Sequence, residues 1–296
     1  METQESLRKK LRGAEDLKAV VRTMKTVAAT NIGQYERSVS SLGDYYRTVK
    51  LGIIAYLRHE EIISIIEMNK SGGRDSKIIY AIVFGSEQGL VGQFNDSLTD
   101  YVTQSLHAIS GKKVIWTVGE RIQLLLSDIG FNTTKLFAFP SSVNAITLLV
   151  HQILVMSETV FKGNETIEFY IFHNQPTSAA DYIPKAQRLL PLDETWRQSA
   201  TMLKWPTKLN PQIIGGIEST LSALLHAYLF TSLFKACAES LVSENASRLA
   251  AMQRAEKNID ELLDDLSHQF HSLRQGSIDE ELFDVLSGFE IMSNDR

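Results

Sequence analysis

Apolar residues recur every three or four positions from the start of the chain: Leu7, Leu11, Ala14, Leu17, Val21, Met24, Ala28, Ile32, Tyr35, Val39, Leu42, Tyr46, Val49 and Ile53. With 3.6 residues per turn these positions share one face, so the pattern predicts one long amphipathic helix carrying a single apolar stripe. No proline interrupts it, the first being Pro140. At 1.5 Å per residue, a helix of about 50 residues is a rod of roughly 75 Å, longer than compact domains use. Gly13, Gly33, Gly43 and Gly52 each weaken it by about 1 kcal/mol, so packing along the stripe must hold it.

A second stripe follows Pro211, the last proline. It runs through Leu221, Leu225, Tyr228, Ser232, Phe234, Cys237, Leu241, Leu249, Met252, Ala255, Ile259, Leu262, Leu266, Phe270, Leu273, Leu282 and Leu286. A narrow seam of this period is what a left-handed coiled coil buries, and the natural partner of one stripe is the other. Charge agrees. The first helix carries Arg8, Lys9, Lys10, Arg12, Lys18, Arg22 and Lys25, and the second carries Glu256, Asp260, Glu261, Asp264 and Asp265. Flanking pairs of this kind are weak singly but select partner and orientation. The simplest arrangement pairs the two ends antiparallel.

Between the stripes the period shortens. Ser76–Phe84, Lys112–Val118, Lys135–Phe139 and Thr166–Phe172 are short β-branched or aromatic runs of strand type. Helical stretches near Gln93–Ala108, Glu120–Asp128 and Val143–Phe161 alternate with them, which implies a mostly parallel sheet covered on both faces. Ser71–Arg74 reads as the linker into this region and Thr195–Pro211 as the linker out. The expected fold class is α/β plus a long α-helical coiled coil: N- and C-terminal helices pair antiparallel, with an inserted Rossmann-like α/β domain. The expected divisions are an N-terminal helix over 1–70, the α/β domain over 71–210 and a C-terminal helix over 211–296.

Composition narrows the function. The net charge of -5 lacks the basic footprint of a nucleic-acid binder, so no nucleic acid is expected as a partner. Cys237 is the single cysteine, which excludes an intramolecular disulfide and a CxxC site and fits a reducing compartment. The N-terminus METQESLRKKL has neither the apolar core of a signal peptide nor a transit-peptide bias, and no 18-residue apolar run is apparent. Membrane association is expected only through partners.

GSEQGLVGQFN, Gly85–Asn95, joins the first strand to a helix and carries Gly85, Gly89 and Gly92. A glycine-rich turn at a helix N-terminus can cradle phosphate. The spacing is neither GxGxxG nor GxxxxGK[ST], and no lysine follows to meet a phosphate, so the turn reads as structural. His268 and His271 lie three apart on the second helix without an evident third ligand, and no metal or cofactor is expected. Cys237 falls in the apolar stripe, where a thiol behaves as a small hydrophobe. No residue set has the spacing of a catalytic triad or a carboxylate pair.

Two segments at opposite ends of the chain carry a family resemblance. Val20–Ile32, VVRTMKTVAATNI, resembles the N-terminal helix of F-type ATP synthase gamma subunits, and Ser247–Gly288 resembles their C-terminal signature. Gly85–Asn95 looks like the family's strand-to-turn motif, and Tyr170–Leu192 is similar to its last core segment. Four positions depart from the usual pattern: Val91 stands for Cys, Gln88 for Arg, Asn31 for Lys and Asp279 for Thr.

The resemblance implies a non-catalytic rotor shaft. Its coiled coil would turn inside a ring of alpha and beta subunits, and its α/β domain would sit near the epsilon subunit and the membrane-embedded c-ring. The location implied is peripheral, on the cytoplasmic face of a bacterial inner membrane. By resemblance Met24 and Lys25 face the lever of a beta subunit, while Arg248 and Gln275 meet the ring's catch loops. Two other readings compete: a nucleotide-binding α/β enzyme with helical arms, which would need a fingerprint that GSEQGLVG does not supply, and a static coiled-coil scaffold, which would not produce likeness at both ends.

Overall fold

A computed structural model describes residues 3–57, 77–161, 166–177, 181–192 and 216–294, with 205, 207 and 212. Among the described residues ten elements follow in chain order: α1 (Gln4–Leu57), β1 (Lys77–Phe84), α2 (Phe94–His107), β2 (Lys112–Val118), α3 (Glu120–Asp128), β3 (Thr133–Phe137), α4 (Val143–Phe161), β4 (Thr166–Pro176), β5 (Tyr182–Leu190) and α5 (Ile217–Asn294). They fall into two compact units, one of residues 1–28 with 249–296 and one of residues 29–248. The expected linker at Ser71–Arg74 and most of that at Thr195–Pro211 lie outside the described residues.

In the unit of residues 29–248 a five-stranded sheet has the order β3-β2-β1-β4-β5. β1 pairs parallel with β2 and with β4, β2 pairs parallel with β3, and β5 closes the edge antiparallel to β4. β1, KIIYAIVF, is central and buried on both faces, which is why it reads as an unbroken apolar run rather than an alternation. On one face Ile79, Ala81 and Val83 of β1 meet Leu98, Val102 and Leu106 of α2 and Ile122 and Leu126 of α3. On the other, Ile82, Phe84, Trp116 and Phe169 meet Ile146, Val150 and Ile153 of α4, with Tyr228, Leu233 and Phe234 of α5 and Tyr35, Val49 and Ile53 of α1. Each such buried side chain contributes about 1.5–3 kcal/mol of transfer free energy. Helices on both faces of a mixed, mainly parallel sheet are the α/β arrangement the strand and helix alternation predicts.

Three differences from the sequence expectation have physical causes. β3 occupies 133–137 rather than 135–139: Thr134 donates to the Ile115 carbonyl at 3.2 Å and starts the pairing early, while Pro140 follows closely. β4 runs on to Pro176 through the polar residues His173, Asn174 and Gln175, because β5 pairs with them. β5 itself is missing from the sequence-predicted strands. It contains Pro184 and a run of polar residues, a composition tolerated at a sheet edge where one side of the backbone needs no ladder partner.

α5 also departs from a one-stripe helix. From Tyr228 to Ser247 nearly every residue is buried, polar ones included. Tyr46 of α1 stacks on Tyr228 with 6.2 Å between centroids, while other faces of α5 reach the strand ends described below. α4 and α5 both contain windows apolar enough to cross a membrane by length and composition alone; in α4 the face bearing Ile146, Val150 and Ile153 covers the sheet.

Candidate partner-contact surface

The glycine-rich turn is tied to its own surroundings. The Ser86 amide donates to Asn95 Oδ1 at 3.0 Å, Asn95 Nδ2 donates back to Ser86 Oγ at 2.8 Å, and Ser86 Oγ donates to the Gln88 carbonyl at 2.7 Å. Leu90 and Gly92 adopt positive φ, 62° and 57°. The amide of Glu120, at the start of α3, faces the Glu87 carboxylate at 3.3 Å, so an internal anion already occupies that helix N-terminus. Val91, where the resembling family usually has Cys, is buried.

α5 grips this turn and the adjoining strand ends through three serines spaced three and four residues apart. Ser240 Oγ donates to the Phe84 carbonyl at 3.0 Å, Ser243 Oγ to the Asn174 carbonyl at 3.0 Å and Ser247 Oγ to the Val91 carbonyl at 2.5 Å. Small hydroxyl residues let the helix approach closely enough to donate to backbone carbonyls of the turn and the neighbouring strands. Sequence reasoning missed this ladder, although a Ser-x-x-Ser-x-x-x-Ser run on one helix face is its visible signal.

Arg248 follows on from the ladder. Its Nη2 donates to Glu244 Oε1 at 2.6 Å, one turn back, and the Glu244 side chain is only 2% exposed. Glu244 Oε2 has no hydrogen-bond partner among the described residues. Burial pushes the Glu244 carboxyl up to about 7 despite the opposing pull of Arg248, and Glu87 adds to the rise. Beside it Asn31 Nδ2 approaches Asn245 Oδ1 at 3.4 Å. Burial also pushes the Cys237 thiol well above its usual range, leaving it an inert core group.

In the unit of residues 1–28 and 249–296 the helices run antiparallel, because partner numbers rise on α5 as they fall on α1. Arg22 Nε meets Glu256 at 2.8 Å, Lys25 also pairs with Glu256, Lys18 pairs with Asp260, and the Arg8 guanidinium lies 5.3 Å from the centroid of the Phe270 ring. Hydrogen bonds from Lys25 and Arg22 hold the Glu256 carboxyl down at about 2. This is the antiparallel coiled coil read from the two stripes.

One detail of the stripe is corrected. The buried seam keeps a strict alternation of four and three through Leu7, Leu11, Ala14, Lys18, Val21, Lys25 and Ala28, whereas Leu17 is 59% exposed. Choosing the apolar neighbour at positions 17 and 24 reads the wrong side of a seam whose period is 3.5. Lysine is tolerated at 18 because its stem packs and its ammonium reaches an acid on α5.

The four residues assigned by resemblance therefore stand as follows. Met24 is partly buried beside the seam, the Lys25 ammonium is engaged by Glu256, Arg248 is engaged by Glu244, and Gln275 is exposed. Lys25 sits in one unit and Arg248 in the other. His268 and His271 are exposed, and no group of three or more His, Cys, Asp or Glu residues able to hold a metal ion occurs among the described residues. Unpartnered apolar side chains complete the surface. Leu17, Val20 and Val27 lie exposed on α1, and Ile278, Leu282, Phe283, Val285 and Leu286 are each at least half exposed on α5.

Comparison with known proteins follows the same outline. The chain is 25% identical over 307 residues to the ATP synthase gamma chain of Syntrophus aciditrophicus, covering 97% of each protein. It is 22% identical to that of Clostridium botulinum strain Okra, covering 96% of each. Its fold is similar to a chain of the Euglena gracilis mitochondrial ATP synthase rotor, with a TM-score of 0.63 at 16% identity, covering 93% of this chain and 98% of that one. A chain from the central stalk and c-ring structure of the Tetrahymena thermophila enzyme gives a TM-score of 0.52 at 19% identity, covering 80% and 99%. The ATP synthase family pattern matches residues 3–292, and with gamma chains aligned over almost their whole length, this chain belongs to the ATP synthase family as one of its gamma subunits.

Proposed function

We propose that the chain is the central rotor shaft of an F-type ATP synthase, carrying no catalytic residue of its own and transmitting rotation between ion flow and the catalytic ring. The observation that carries this reading is the surface of the 1–28 and 249–296 unit. Paired helices normally hide their apolar side chains, yet here Leu17, Val20 and Val27 on α1 and Ile278, Leu282, Phe283, Val285 and Leu286 on α5 remain outside the seam. A patch of that kind marks a surface covered by a partner, and a ring of alpha and beta subunits supplies such a cover. An asymmetric shaft turning in that ring favours a different conformation at each catalytic site in turn.

The α/β domain then faces the epsilon subunit and the c-ring, and the chain lies peripherally on the cytoplasmic face of a bacterial inner membrane. We retain 1–70, 71–210 and 211–296 as the functional divisions of the chain, their limits at 70–71 and 210–211 lying outside the described residues. Met24, Lys25, Arg248 and Gln275 are the proposed ring contacts. The internal pairs made by Lys25 and Arg248 mean that each would share or exchange a carboxylate on engaging the ring.

Reconstituted complexes test this. Arg248→Ala is expected to lower ATP hydrolysis and ATP-driven ion pumping together, by roughly tenfold or more, since losing one member of a buried charge pair costs about 2–5 kcal/mol. Arg248→Lys should recover only part of that, because an ammonium cannot reproduce a bidentate fork. Subunit content must be equal in each preparation. Unchanged coupled rates in Arg248→Ala would remove its proposed contact, and full coupled pumping by complexes lacking the chain altogether would overturn the shaft reading.

A further inference from the structure

The unit of residues 29–248 contains a cavity of about 250 Å³ where α1, β5 and α5 come together, and each element contributes a lysine: Lys50, Lys185 and Lys235. Lys50 Nζ lies 4.7 Å and Lys235 Nζ 5.4 Å from the centroid of the Tyr46 ring. Their ammonium groups are therefore at most about 10 Å apart, about one Debye length at roughly 0.1 M salt, so their repulsion is only partly screened. Lys185 Nζ donates to Gln175 Oε1 at 3.0 Å, a neutral acceptor.

The single carboxylate in the lining is Glu239, and it is already in use. One of its oxygens takes His173 Nε2 at 2.9 Å, and the other lies 3.4 Å from Gln175 Nε2 and 3.7 Å from Lys235 Nζ. Among the described residues no carboxylate stands within ion-pair distance of Lys50 or Lys185. Burial holds His173 below its usual range against the pull of Glu239, and the charges of Lys185 and Lys235 push the same way. At neutral pH the lining thus carries three cations and one anion. Three ammonium groups from separate elements around one cavity favour an anion that enters between them.

We propose that this cavity is a binding site for a small phosphate-type dianion, held by Lys50, Lys185 and Lys235. The charge sets the class, because the lining has an excess of two positive charges. The size sets the limit: about 250 Å³ lies below the roughly 300–1,000 Å³ of drug-sized ligand pockets, so inorganic phosphate fits and a nucleotide does not. Lysine rather than arginine suits this task, since three flexible point charges adapt to a tetrahedral ion. The proposal stands apart from the rotor reading and does not depend on it.

The test is titration of the isolated full chain with inorganic phosphate, followed by calorimetry and phosphorus NMR. The expected result is saturable binding of one phosphate per chain, weakened at least tenfold in the double variant Lys50→Gln with Lys235→Gln, and unchanged in the exposed control Lys112→Gln. Should the double variant fail to fold, Lys185→Gln alone, whose ammonium donates to the Gln175 side-chain amide, is expected to weaken binding at least threefold. No saturable binding, or equal binding by wild type and the lysine variants, overturns the proposal. Binding to vesicles of anionic lipid without binding to free phosphate also overturns it, since the lysines would then serve a membrane surface.

Discussion

Glu244 is a carboxyl whose protonation the fold disturbs plainly. It is buried, it keeps one bond to Arg248, and its carboxyl stands at about 7 against an ordinary 4.5. A carboxyl raised in the folded state binds its proton more tightly there than in the unfolded chain. Between pH 4.5 and about 7, stability therefore falls as pH rises, and above that the cost is fully present. Its size is on the order of 3 kcal/mol. Glu244→Gln keeps the shape and an acceptor for Arg248 but removes the charge. It should stabilise the chain by roughly 1–3 kcal/mol at pH 8 and by little at pH 5, as read from urea unfolding. The same gain at both pH values would show that burial of the charge is not the cause. Arg248 stands out by resemblance, whereas Glu244 does not, although their four-residue spacing on a helix is a standard pairing distance. Its burial depends on which side of α5 meets the turn, and no local pattern encodes that.

Among the elements, the glycine-rich turn and the β2–α3 junction packed against it hold glycines that divide into replaceable and irreplaceable positions. Gly119 has φ of 100°, and an added Cβ would lie 2.5 Å from the Ser86 carbonyl oxygen, a backbone atom with no freedom to move aside. At Gly89 the same atom would meet nothing within 4 Å. Gly119→Ala should therefore destabilise by about 2 kcal/mol or more, while Gly89→Ala should stay within about 0.5 kcal/mol. Thermal unfolding of both variants decides it, and similar midpoints would contradict the steric account. The strands and helices with strong periodicity, β1, β2, α2, α3 and α4, were legible because local pattern and burial agree. β5 was not, since its strand state comes from pairing with β4 rather than from its composition.

At the scale of the molecule, the apolar side chains outside the seam carry the consequence. Leu17, Val20 and Val27 follow one another at helical spacing and are all more than half exposed. Replacing the three with serine removes apolar surface without touching the seam residues Ala14, Val21 and Ala28. The isolated chain should then be more soluble and less prone to self-association, while assembly with alpha and beta subunits should weaken at least tenfold. Light scattering of the chain alone and subunit recovery after reconstitution measure the two effects. Undiminished assembly would show that this stripe is not the covered surface.

The sequence by itself determined the two stripes, the short strands between them, the structural character of the glycine turn and the family likeness at both ends. Each of these is local, because periodicity and residue type are properties of a few consecutive turns or strands. The tertiary structure alone decided that Lys18 rather than Leu17 enters the seam, and that α5 is buried on several sides from Tyr228 to Ser247. It also decided that Glu244 sits in the interior and that three distant lysines share one cavity. Those facts depend on how separate elements meet, and free energies set by burial and by the distance between charges exist only once they have met.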